Sequence, residues 1–262
     1  MKEKTITKEM VIRWITFSVC LLFCLFTYFF FSIKNESGKA IMALLSVLYI
    51  CIPFIAEKLF RFKIQIALYI FIMLYAICPL LGYSYKLYYL ISWWDSLLHG
   101  FAGVVFAMFG AYLPKVFEKG KCSIAVCAMC GFFFSVALAG LWEFVEFGMD
   151  TSFGTDMQKD IFVDKFHSYL IGPETGVLGG YDKITSVIVN GETLPGYVDI
   201  GLFDTMKDML VETAGALFYT IIFVAGKGKY FVFELLPPEK TQEATSQAVA
   251  AKQEEDTETP AS

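Results

Sequence analysis

Apolar positions run in long blocks separated by short polar breaks, and polar residues collect in one late loop and at the C-terminal end. The first block, Val11–Ile33, has the length that a helix needs to cross a bilayer, about 20 residues. Further blocks at about 40–57, 64–83, 95–114, 123–147 and 204–226 predict an all-α membrane protein with about six transmembrane helices. The polar region between the fifth and sixth blocks, residues 149–203, predicts a small cap in two parts. In 157–171, Ile161, Phe162, Phe166, Tyr169 and Leu170 recur among charges at roughly helical spacing, which predicts a short extracytoplasmic helix lying on a surface. In 184–198, β-formers flank Asn190-Gly191 and predict a hairpin.

Composition supports the membrane assignment. Apolar residues make up 56% of the 262-residue chain, too many for the surface of a soluble globule of this size. The first block lacks a small-residue cleavage site and reads as a retained span. Much of the formal net charge of −5 comes from the stretch after Pro238, and residues 227–262 predict a cytoplasmic, largely disordered acidic tail after the transmembrane domain of 1–226. The seven cysteines lie in or beside apolar blocks and imply no disulfide framework; Cys127 and Cys130 read as helix packing. Nothing in this charge pattern implies a nucleic-acid partner. The bilayer is the expected one, and oligomeric state leaves no mark on the sequence.

Lysine and arginine set the expected orientation. Lys2, Lys4 and Lys8, then Lys58, Arg61 and Lys63, then Lys115, Lys119 and Lys121, then Lys227 and Lys229 fall on one side of a six-span arrangement. The opposite short loops hold Lys34, Lys39 and Lys86. The positive-inside rule then places both termini in the cytoplasm and residues 149–203 outside a cell membrane. Tyr83, Tyr85, Tyr88, Tyr89, Trp93 and Trp94 form an aromatic belt at the outer interface.

The last three blocks are rich in Gly, Ala and Ser, which let membrane helices approach closely. They also carry acids at matching depths. Asp95 and His99 are one turn apart at the start of the fourth span, and Glu143 and Glu146 share a face at the end of the fifth. Asp204, Asp208 and Glu212 follow at successive turns of the sixth. With a rise of about 1.5 Å per residue, Asp95, Glu146 and Asp204 sit at the interface, His99, Glu143 and Asp208 about 5 Å deeper, and Glu212 about 12 Å deep. An acid at mid-membrane costs about 2.5–3.5 kcal/mol on insertion scales. Acids near a helix end can snorkel to water or offset the helix dipole, but Glu143, Asp208 and Glu212 lie too deep for that. Lys207 is the one cation within these spans, and no arginine accompanies it. The cluster is therefore hydrated, protonated in part, or occupied by a cation, and carboxylates with one imidazole suit Mg, Mn, Ca or Fe as a divalent metal. Asp95, His99, Glu143, Glu146, Asp204 and Asp208 are the candidate metal ligands. Gln158, Asp160, Asp164 and His167 of the loop read first as the wet face of the loop helix and second as residues reaching the site.

Asp95-x3-His99, Trp142-Glu143-x2-Glu146 and Asp204-Thr205-x2-Asp208 followed by Gly215, in this order over residues 85–226, resemble the YjdF-like bacterial integral membrane proteins. The resemblance implies a bacterial cytoplasmic membrane and importance for the cluster, and it implies no activity.

The cluster predicts a divalent-metal-dependent enzyme acting on a lipid-linked or amphipathic substrate, with Asp95, His99, Glu143 and Asp208 catalytic and a carboxylate or His99 as general base. The alternatives are a cation- or proton-coupled transporter using the same acids, and a scaffold or sensor whose cap binds a partner. No Ser-His-Asp order or P-loop is present, so serine nucleophiles and nucleotide-driven chemistry rank below these.

Overall fold

The computed structural model describes residues 7–118, 122–228 and the strand Phe233–Leu235. Its elements, in chain order, are α1 (Lys8–Ile33), α2 (Ser37–Phe60), β1 (Phe62–Ile64), α3 (Ile66–Ala76), α4 (Cys78–Ser84), α5 (Leu87–Leu90), α6 (Trp94–Phe117) and α7 (Ile124–Phe153). The cap follows with β2 (Ile161–Val163), β3 (Phe166–Ser168), a 3-10 turn (Tyr169–Ile171), β4 (Gly179–Tyr181), β5 (Val187–Val189), β6 (Glu192–Leu194) and β7 (Tyr197–Asp199). α8 (Leu202–Ala225) and β8 (Phe233–Leu235) complete the chain.

Among the described residues, six helical segments are long and apolar enough to cross a membrane, and they match the six apolar blocks. Ile66–Ser84 counts as one of them although it breaks between α3 and α4, where Pro79 offers no N–H to continue the ladder. Phe26, Leu48, Phe133 and Phe218 are all more exposed than buried. Such outward-facing rings and aliphatic chains are at home in lipid and costly in water.

The contacts divide the chain into two units, Met1–Lys86 with Phe231–Ser262, and Leu87–Tyr230. In the first, Cys24, Ala43 and Leu80 form a buried core under Phe23, Tyr28 and Met42. Arg13 clasps this unit at one end: it donates to both oxygens of Glu57 at 2.9 and 3.0 Å and to the Ile64 carbonyl, and it stacks on Tyr69. Of the tail that begins at residue 227, Lys227, Gly228 and β8 are among the described residues; β8 pairs antiparallel with β1, and the rest of the tail lies outside them.

In the second unit α6, α7 and α8 pack on one another, and glycine sets their spacing. A Cβ on Gly103 would lie 2.1 Å from the Glu212 carbonyl oxygen, and one on Gly215 2.2 Å from that of Gly100. Gly131 brings α7 close to α6 as well, where a Cβ would meet the Ala107 carbonyl oxygen at 2.6 Å. Ser135 adds a hydrogen bond to the Gly103 carbonyl at 3.1 Å. Backbone-to-backbone approach of this kind is what small residues give membrane helices.

The cap corrects one expectation and meets another. Residues 157–171 hold strands and a 3-10 turn in place of the short helix: β2 pairs with β7, and β3 with β4. Ile161, Phe162, Val163 and Phe166 are β-formers, and their partners lie far along the chain, out of reach of a local periodicity. The hairpin forms where Asn190-Gly191 predicts it, with β5 against β6 and both turn residues at positive φ, 52° and 90°. The loop also starts later than 149, because α7 runs on to Phe153 and stops at Gly154 in the left-handed region.

Candidate cation site at one end of the α6–α8 bundle

The antiparallel course of α6, α7 and α8 brings the start of α6, the end of α7 and the start of α8 to one end of the bundle. His99 stands at the centre of the acids. Its Nε2 lies 3.6 Å from Asp208 Oδ2 and 4.0 Å from Asp95 Oδ1, and its Nδ1 lies 3.6 Å from Glu212 Oε2. Asp95, His99 and Asp208 each offer one ligand atom, and these atoms all lie within 4.8 Å of one another. Ligands bound at about 2.0–2.6 Å stand no more than about 5 Å apart, so a single cation fits among the three.

The acids deepest in the cluster are the most buried. Asp208 is 1% exposed, Glu212 2% and Glu143 5%, and in each of the three one carboxylate oxygen has no hydrogen-bond partner. A buried oxygen without a partner keeps its full desolvation cost. Glu146 accepts a hydrogen bond from Trp142 Nε1 at 2.7 Å. Glu143, Glu146 and Asp204 line the same end of the bundle and stand outside the three-residue group.

A cation that sequence reasoning missed comes from the cap. Lys159 donates to Asp95 Oδ2 and lies over the Tyr88 ring, 4.8 Å from its centroid. Asp150, at the end of α7, turns the chain to bring it there. Its carboxylate accepts from Thr155 Oγ1 at 2.6 Å, Met157 N at 2.7 Å and Gln158 N at 2.8 Å. Gln158 then donates to Thr205 Oγ1 on α8 at 2.6 Å, and the β2–β7 ladder secures the far side of Lys159. Gly201 allows the close fit, since a Cβ there would sit 2.5 Å from Gln158 Cβ. Burial works against the Lys159 ammonium, but Asp95, then Asp204 and Asp208, more than offset it and raise its pKa above the ordinary lysine value. Lys207 stands 3.8 Å from both Asp204 and Asp208. Even so, six carboxylates face two ammonium groups and one imidazole.

The sequence profile of a family described as "Predicted membrane protein (DUF2238)" matches residues 15–228. The chain belongs to this family. The match takes in every residue of the cluster and agrees with the resemblance to the YjdF-like proteins. No curated protein and no solved structure matches the chain. DUF2238 membership makes this a membrane protein and assigns the cluster no chemistry.

Of the loop residues read two ways, Gln158 reaches the site's edge through Thr205. Asp160 and Asp164 are exposed in the cap, and His167 lies 3.9 Å from Asp182, on partly exposed side chains away from the cluster. Glu212, noted for its depth and left without a role, is the carboxylate facing the inner nitrogen of His99.

Proposed function

We propose that this protein is a divalent-metal-dependent membrane enzyme whose cation binds Asp95, His99 and Asp208. The observation that carries the reading is the three-residue group itself: ligand atoms within 4.8 Å, around an Asp208 that is 1% exposed and keeps one oxygen without a hydrogen-bond partner. The donor set, two carboxylates and one imidazole, suits a hard or borderline ion such as Mg, Mn, Ca or Fe. Glu212 facing Nδ1 completes the arrangement in which a carboxylate fixes the ring whose other nitrogen takes the metal. With both ring nitrogens committed, His99 serves as a ligand, and the role of general base falls to Glu143, buried beside it with one free oxygen. Bound to Asp95, His99 and Asp208, the metal would supply Lewis-acid activation of water and of a polar substrate group. Glu146 and Asp204 hold the outer wall.

The cluster lies at the end of spanning helices, beside lipid, which favours a lipid-linked or amphipathic substrate. The lysine and arginine pattern favours an outward-facing site, with both termini cytoplasmic and the cap external. Elemental analysis of protein purified in uncharged detergent tests the proposal. Wild type is expected to hold about one divalent metal per chain, with the metal lost in His99→Ala and Asp208→Asn. A wild type that binds none from a buffer containing Mg, Mn, Ca and Fe would end the metalloenzyme reading and favour transport of a cation or protons through the same acids.

A further inference from the structure

Lys159 is held in place from both sides, by the Asp150 turn before it and by the β2–β7 ladder after it. Its ammonium rests on Asp95, one of the three residues of the cation group, and its side chain is 31% exposed, so it approaches that group from the solvent side. A second ammonium, that of Lys207, also partly exposed, stands 3.8 Å from Asp204 and Asp208. The Gln158 amide and the Thr205 hydroxyl complete a polar rim over a floor of buried acceptors, three of which, on Asp208, Glu143 and Glu212, have no hydrogen-bond partner.

A divalent cation and an ammonium group repel, and both are drawn to Asp95. Arrival of the cation brings two positive charges to the floor and removes the need for lysine there. The ammonium stays tethered, because the backbone around it is fixed by groups that take no part in the cluster. It therefore remains over the cation with its hydrogen-bond donors free.

We propose that Lys159 is the ligand for a phosphoryl group of the substrate: a divalent cation on Asp95, His99 and Asp208 displaces its ammonium from Asp95, and the freed ammonium pairs with phosphoryl oxygens that also bind the cation. The proposal rests on the metal reading above. A phosphoryl group has several anionic oxygens, enough to meet a hard cation and an ammonium together, and hard cations of this class bind phosphate oxygens readily. Lysine supplies a point charge on a flexible stem, which suits a group that must swing from a carboxylate to a ligand.

Binding of Mn²⁺, read from the electron paramagnetic resonance signal of the free ion, tests this in wild type, Lys159→Met, Lys159→Gln and Lys159→Arg. Each protein is titrated alone, with inorganic phosphate, and with short-chain phosphatidic acid, against protein-free references. Wild type should bind Mn²⁺ about fivefold or more tightly when a phosphoryl compound is present. The two neutral variants should bind Mn²⁺ alone about fivefold more tightly than wild type and lose the phosphoryl gain, while Lys159→Arg keeps it. A gain with both compounds identifies the phosphoryl group itself as the ligand; a gain with phosphatidic acid alone identifies a lipid headgroup, and either supports the proposal. Wild type that binds Mn²⁺ with no phosphoryl gain, or neutral variants that keep the gain, would overturn the role of Lys159 and leave the metal site standing. Wild type that binds no Mn²⁺ under any condition would overturn both.

Discussion

His99 faces Asp208 and Asp95 with one ring nitrogen and Glu212 with the other, and this orientation separates a bound metal from a relay of protons. If Glu212 fixes the ring for a metal ligand, Glu212→Gln should weaken metal affinity by about 10–100-fold and leave a saturable site behind. If the acids conduct a cation inward, Glu212 lies on its path, and the same change should abolish flux in vesicles while metal affinity at Asp95 and Asp208 stays unaltered. Much of this arrangement is legible in the sequence. Asp95, His99, Glu143 and Asp208 occur at helical spacing and matching depth in three separate spans, and buried acids that have few cations are costly enough to stand out. Lys159 is not legible in the same way. It lies in a polar loop where lysine is ordinary, and its place depends on Asp150 hydrogen bonds and on a strand pairing with Tyr197–Asp199.

The elements explain how the cluster is kept close. α6 and α8 touch backbone to backbone at Gly100, Gly103 and Gly215, in the same turns that carry His99 and Glu212. Gly103→Ala places a methyl group 2.1 Å from the Glu212 carbonyl oxygen, so α8 must move away. The expected cost is about 1–3 kcal/mol, seen as a lower melting temperature together with weaker metal binding. Gly140→Ala is the control, since its Cβ would meet only the end of Met209 at 4.0 Å, and it should change neither quantity. The helices themselves are visible in the apolar blocks because lipid demands long continuous runs. The cap is half visible. Asn190-Gly191 marks its hairpin through local turn chemistry, whereas the mixed pattern of 157–171 satisfies a helical period by coincidence and yields to pairing with distant strands.

At the scale of the whole molecule, family membership and six apolar helices make this a membrane protein, and the site's value to the cell depends on which way it faces. Reporter fusions after Lys121 and Lys227 are expected on the cytoplasmic side and one within 175–195 on the outside; a cytoplasmic loop would turn the site inward. The central claim, a cation among Asp95, His99 and Asp208, is tested most directly by thermal melting of wild type and Asp208→Asn with and without chelator. An occupied site loses stability when a ligand is removed, whereas an empty acidic cluster gains stability when one of its charges is neutralised. The account predicts that chelator lowers the melting temperature of wild type, that Asp208→Asn melts below metal-loaded wild type, and that chelator leaves the variant unchanged. A wild type indifferent to chelator, with Asp208→Asn melting above it, would contradict the account.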